Sequence, residues 1–312
     1  MTHCERRCLL FLKLNLQLYM PETKPAPCAL CGCHAELLQS HIVPKFAVEW
    51  LKDSSATGYL RAAHMPNFRK QDVDKVRLLC ASCESLFSKW EKRFAENVFV
   101  PFQEKTATSF ACKDWLLPFV ISLAWRTSTQ EFERYKTSHP HLVSYLWKAL
   151  ATWKDFLLGN SADPGSYEHH VFFCDFILNE PTGVTLSDMF ESYLLRSVDT
   201  TLASGSTKVF AFTKLPGIIF WSCICPTKPA GQFENTIVLN GATIRTPQSI
   251  KDTDFAGFLQ HRVQTTAELM KGISGRQIRK MEETARKNPD RVLRSQDFSI
   301  FLSGQLRKQK PK

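Results

Sequence analysis

Cys28-Ala29-Leu30-Cys31-Gly32-Cys33-His34 and Leu78-Leu79-Cys80-Ala81-Ser82-Cys83-Glu84 are the two stretches from which the fold can be read. Their Cys-x-x-Cys pairs, Cys28/Cys31 and Cys80/Cys83, supply four thiolates, the usual inventory of a closed tetrahedral zinc site. Gly32 suits a tight knuckle after the first pair. The second pair precedes Phe87, Trp90, Phe94 and Val98. That three-to-four spacing predicts an amphipathic helix over 84–100, ended by Pro101. A helix N-terminus also favours thiolate charge at the second pair. Unligated buried cysteines are the alternative, which leaves the paired spacing unexplained. Cys33 or His34 could replace one ligand.

The 48 residues between Cys31 and Cys80 leave room for a β-hairpin carrying Ser40-His41-Ile42-Val43-Pro44, followed by a polar loop from Lys52 to Asp74. Knuckle, hairpin and helix together are the plan of a treble-clef zinc module. Three prolines in 21–27 mark a boundary before it. Met1 to Met20 has Arg6 and Arg7 and alternating leucines, but Lys13, Asn15 and Gln17 interrupt the apolar stretch and no small-x-small cleavage site follows. We read residues 1–23 as an N-terminal extension, 24–104 as the zinc module and 105–312 as a C-terminal α+β domain.

In that C-terminal part, 105–160 reads as helical, with Trp115, Phe119 and Leu123 on one face and Leu142, Leu146, Leu150, Trp153 and Leu157 on another. From 168 the pattern turns to strands. Val171–Leu178 is one run, and His169-His170 opens it. Lys208–Thr213 and Ile218–Cys225 join through Leu215-Pro216-Gly217. Thr236–Leu239 and Thr243–Arg245 are predicted to form a hairpin through Asn240-Gly241. Residues 252–288 return to helix. The fold class is therefore α+β.

The chain has 312 residues, 44% of them apolar, enough for a sizeable core, and 40 Lys plus Arg against 30 Asp plus Glu, a net charge of +10. Residues 271–312 hold twelve basic and four acidic side chains, so this tail carries +8 of the +10. A basic surface favours polyanions. No uncharged run approaches the roughly 20 residues of a membrane span. Eleven cysteines, an odd number with four in metal-type pairs, point to a reducing, cytoplasmic setting. Cys112, Cys174, Cys223 and Cys225 lie in apolar runs and read as core.

On Cys28-Ala29-Leu30-Cys31-Gly32, Ser40-His41-Ile42-Val43-Pro44 and Leu78-Leu79-Cys80-Ala81-Ser82-Cys83-Glu84, the chain resembles the HNH endonucleases, the ββα-metal or His-Me finger nucleases. The likeness covers about residues 28–100 and looks closest to a bacterial branch, some of it linked to antiviral defence against phage. It implies structural zinc, a catalytic magnesium or manganese ion, and His41 as the general base that activates water on a phosphodiester, a task suited to imidazole near neutral pH. Three positions depart from the family pattern. Ser40 stands where Asp or His ligates the ion, Lys75 where Asn is expected, and Glu84 where His follows the fourth cysteine. Glu84 is a hard ligand suited to magnesium, with Asp72, Asp74 and Glu91 the nearest candidates for a second; Glu84 could equally be an acid favoured at a helix start.

Lys45, Arg61, Arg69, Lys70, Lys75 and Arg77, interleaved with Tyr59 and Phe68, are candidate phosphate and base contacts, as are Arg276, Arg279 and Lys280 in the tail. Solvated charge is the alternative in both places. His64 and Asn67 lie in the same loop. The expected activity is hydrolysis of nucleic acid, DNA before RNA, with a regulatory protein partner to restrain it. A zinc-stabilised binding module without catalysis, or a partner-binding sensor protein, are the alternatives.

Overall fold

The computed structural model describes residues 25–176, 189–228 and 232–309. The N-terminal extension, residues 1–23, and the end of the run Val171–Leu178 beyond Phe176 lie outside the described residues. The architecture mixes helices with antiparallel strand pairs.

Strands β1 (Ala26–Pro27) and β2 (His34–Ala35) pair across the first cysteine knuckle. Next, β3 (Leu37–His41) pairs with β4 (Lys75–Cys80), so the hairpin expected to carry His41 is present and sets His41 opposite Lys75. Between its strands lie a helix absent from the sequence reading, α1 (Lys45–Asp53), and a long loop pinned by a Leu60–Lys70 bridge. Helix α2 (Ala81–Phe94) starts where β4 ends, with Cys80 as its N-cap.

Pro101 does not end this helical stretch. A π-helical turn at Ala95–Phe99 follows α2, and α3 (Val100–Gln103) takes Pro101 in its first turn, where a missing N–H leaves no bond unmade. The continuous helix expected over 105–160 is also divided. It contains β5 (Ser109–Ala111), α4 (Leu116–Ser138), a 3-10 turn at Pro140–Leu142 and α5 (Val143–Leu157).

The main sheet has four strands, β6 (His169–Phe173), β7 (Asp199–Ser204), β8 (Val209–Leu215) and β9 (Ile218–Cys225), in the order β6-β9-β8-β7. A short helix, α6 (Phe190–Arg196), precedes β7. All seven residues of β8 are buried, as are the first seven of β9. Such unbroken burial, Thr213, Lys214 and Ser222 included, marks a sheet covered on both faces.

The hairpin expected at Asn240-Gly241 does not form. Gly241 does make a turn, at φ +80°, but β11 (Thr243–Arg245) pairs with β5. Residues 236–238 instead lie along β6, with a His170–Ile237 bridge and Val238 N donating to His169 O at 2.8 Å. An Asn-Gly turn signals a reversal; the tertiary partners of its two arms decide where they pair. Strands β10 (Gln232–Glu234) and β12 (Ser249–Lys251) form a separate pair.

The chain closes with four helices, α7 (Thr253–Met270), α8 (Gly275–Lys287), α9 (Pro289–Arg294) and α10 (Gln296–Lys308). The helix expected over 252–288 is thus broken at Gly272 to Ser274. No described helix is long and apolar enough to cross a membrane.

Helix α4 organises the interior. Residues 119–128 are buried without interruption, as in a helix enclosed on every side. Phe119 is fully buried and stacks on Phe94 of α2 at 4.2 Å between centroids, while Phe220 of β9 meets both edge-on. The cluster around Phe119 includes Val43 and Val48 as well as Val171 and Leu215. A second cluster joins Cys28, Leu30 and Cys83 to Trp125 and Trp153. Side chains before and after residue 104 therefore share cores. On the other face of the sheet, Phe172, Phe210, Phe212 and Trp221 pack with Phe255 and Phe258 of α7.

Candidate metal centre and active site

The sulfurs of Cys28, Cys31, Cys80 and Cys83 lie within 4.8 Å of one another. Backbone geometry brings them together. Gly32 N donates to Cys28 O at 2.8 Å and Cys28 N to Cys33 O at 3.0 Å, a knuckle whose Gly32 sits at φ +79°, where a side chain would be strained. Cys80 ends β4 and Cys83 lies in the first turn of α2. Ala29 N reaches Leu78 O at 3.0 Å, locking knuckle to strand.

This geometry fits zinc. With Zn–S bonds near 2.3 Å, a tetrahedron has S–S edges of about 3.8 Å, and Cys31 Sγ lies 3.7 Å from Cys80 Sγ. Cys80 N donates to Cys28 Sγ at 3.3 Å. Burial pushes the Cys28 thiol up, but the amides of Cys31, Cys80 and Leu30 outweigh it and bring it down to about 7. Burial, with the neighbouring sulfurs, pushes the Cys83 thiol strongly up. Four thiolates this close repel one another, and a divalent cation is the natural counter-charge. Four protein ligands leave no open position, so a zinc ion here is structural. Cys33 and His34 are exposed and outside the group. The nine described cysteines are all free; Cys112 and Cys223 are buried, while Cys174 and Cys225 are only partly so.

His41 lies at the other end of the same strand pair, where segment 42–74 connects β3 to β4. Its Nε2 is 3.1 Å and 3.2 Å from the two carboxylate oxygens of Asp72. Lys75 Nζ approaches Asp72 Oδ2 at 2.7 Å, and Val73 N donates to Oδ1 at 2.9 Å. Burial raises the Asp72 carboxyl, but Lys75, His41 and the Val73 amide bring it down to about 2, so Asp72 is ionised. A carboxylate only accepts hydrogen bonds, so Nε2 carries the proton and Nδ1 is the ring's basic atom.

The other expected ligands do not gather around His41. Among the described residues the four cysteines are the one group of three or more His, Cys, Asp or Glu with metal-holding geometry. Glu84 sits in the first turn of α2, with Oε1 buried and no hydrogen-bond partner. Asp74 pairs with Lys70 at 2.6 Å, and Glu91 with Arg126 at 2.7 Å. Ser40 is buried and points its hydroxyl back to Leu38 O, at 3.5 Å.

Six of the candidate basic residues fall on two segments that the fold stitches together, loop 54–72 and α8. Asn67 Nδ2 donates to Gly272 O and Ser274 N to Asn67 Oδ1, each at 2.8 Å. Arg61 reaches Gln277 Oε1 at 3.2 Å. Arg291 donates to Lys52 O at 2.7 Å and Ser55 O at 2.8 Å. Loop 54–72 therefore carries α8 and α9 on its surface, placing Arg276, Arg279 and Lys280, all exposed, beside the loop's own cations. Arg69 lies 4.1 Å and Arg61 5.5 Å from the Tyr59 ring centroid, and Phe68 is 68% exposed beside them. Lys45 pairs with Glu49, and Arg77 is exposed on β4.

No family model, curated protein or solved structure matches the chain.

Two residues of this region were not legible as a site in the sequence. Asp72 was counted among candidate metal ligands but serves as the partner of His41. Arg126 was not singled out, although a lone cation directly after the largely apolar run 116–125 was a signal that it has buried partners.

Proposed function

We propose that the chain is an HNH-type endonuclease that hydrolyses phosphodiester bonds of nucleic acid, DNA before RNA, on a treble-clef zinc module. The observation that carries this reading is the His41–Asp72 pair at the connector end of a strand pair whose other end is tied into the four-cysteine cluster. Asp72 orients the ring, Nδ1 takes the proton of the attacking water, and the carboxylate balances the imidazolium that forms. Lys75, 2.7 Å from Asp72 and across the strand pair from His41, brings positive charge to a phosphate there. The joined basic surface of loop 54–72 and α8 supplies phosphate contacts, with Phe68 available to stack on a base.

The magnesium or manganese ion implied by the resemblance has no three-ligand group among the described residues. Asp72 is already shared between His41 and Lys75. These features favour one alternative, a zinc module that binds nucleic acid without cleaving it. The test is cleavage of plasmid DNA and RNA with magnesium, with manganese and with neither. Salt-dependent binding without cleavage in all three conditions selects the alternative.

A further inference from the structure

Arg126 is 2% exposed, and a buried guanidinium is costly unless its charge is met; here NH1 and Nε have partners, while NH2 is buried without one. It belongs to α4, outside the zinc module. NH1 donates to the main-chain oxygen of His41 at 2.8 Å and meets Glu91 Oε1 of α2 at 2.7 Å. Nε donates to Ser122 O at 3.3 Å, and the group lies 5.3 Å from the Phe87 ring centroid. The next residue, Thr127, shares a 3.0 Å hydrogen bond with Thr213 of β8. One side chain thus joins the end of β3 to α2, from a helix that is itself bonded to the main sheet.

We infer that Arg126 is a positioning residue for His41, an inference that rests on the nuclease reading of that histidine. His41 is the last residue of β3, where the ladder no longer restrains the chain. Arg126 holds its carbonyl, and Glu91 holds Arg126. The imidazole can then keep its 3.1 Å reach to Asp72, which lies on the loop leading into β4. The C-terminal part of the chain is in this way a component of the site. Without the guanidinium, a carbonyl and a carboxylate lose their shared donor and the end of β3 loosens. Lysine preserves the charge but not the forked geometry.

The test uses the full chain with ring-15N histidine, the His41 signals being assigned by their loss in His41→Gln. Arg126→Met, Arg126→Lys and Thr127→Val, the last a control on the same helix at the same depth, are compared with the unsubstituted protein at equal zinc content. His41 is expected in the Nε2–H form in the unsubstituted protein and in Thr127→Val, mixed between tautomers in Arg126→Met, and intermediate in Arg126→Lys. Unchanged His41 signals in Arg126→Met, or an equal change in Thr127→Val, would overturn the inference. If Arg126→Met does not fold, Glu91→Gln probes the same contact from its other side, with the same expectation and the same overturning result. Where the unsubstituted protein cleaves, kcat should fall at least about tenfold in Arg126→Met at unchanged KM, as displacement of a catalytic group implies. Absence of cleavage by the unsubstituted protein counts against the nuclease reading, and the ring-nitrogen signals still decide the role of Arg126.

Discussion

Asp72 accepts from His41, Lys75 and the Val73 amide together, and its substitution separates orientation from charge. Asp72→Asn keeps the shape, but an amide can turn its donor toward His41 and favour the wrong tautomer. Cleavage is expected to fall on the order of 100-fold at constant zinc content, within the range for misdirected general-base catalysis. Steady-state rates for the purified variant check this. His169 and His170 act on stability instead. Both are 2% exposed, with Nδ1 bonded to Ser222 and Thr236 respectively. Burial brings His169 down to about 3, with His170 beside it contributing, and burial brings His170 down to about 4. The unfolded chain, with histidines near 6.5, therefore takes up protons before the folded one does. The stability contribution is complete above pH 6.5 and is lost as pH falls from 6.5 toward 4 for His170 and toward 3 for His169, by roughly 1–2 kcal/mol per histidine at pH 5. Urea unfolding at pH 7 and pH 5 should show this loss, and His170→Gln should reduce it. The strand beginning at His169-His170 was readable from sequence. The burial of both rings was not, since residues 236–238 cover His170 only in three dimensions.

At the scale of elements, the cysteine knuckle, the hairpin and a helix beside the second cysteine pair were legible because each rests on local chemistry, although the helix starts at Ala81, three residues before the expected Glu84. The two arms of the Asn240-Gly241 turn were misread because their partners, β5 and β6, are distant in sequence. The four-cysteine cluster is an element in its own right. Cys28, Cys80 and Cys83 are 7% exposed or less and pack with Leu30, Trp125 and Trp153. Cys83→Ser should lose the metal and lower the melting temperature of the whole chain, measured by metal analysis and calorimetry. X-ray absorption on the unsubstituted protein should show four sulfurs at about 2.3 Å. Helix α4 makes the same point through packing: Phe119 stacks between α2 and β9, and Phe119→Ala should cost about 3–5 kcal/mol.

Across the whole molecule, segments remote in sequence make single surfaces. The basic tail was visible as composition, yet nothing in its sequence shows that Asn67 and Arg61 hold it against loop 54–72. Reversing Arg276 and Arg279 together to Glu should weaken duplex binding and flatten its salt dependence by about two counterions, one per lost phosphate contact. Titrations at several salt concentrations read this directly, and an unchanged slope would remove α8 from the interface. The zinc module likewise shares its cores with the sheet and α4, so its candidate base is framed by residues from most of the chain.

The most direct measurement is cleavage of plasmid DNA and RNA by the unsubstituted protein and by His41→Ala, matched for zinc content and with magnesium or manganese supplied. A nuclease built on His41 should nick or cut nucleic acid, and His41→Ala should lose at least about 100-fold of that rate with its zinc intact. Cleavage that survives in His41→Ala, or none by the unsubstituted protein on either substrate, would contradict it.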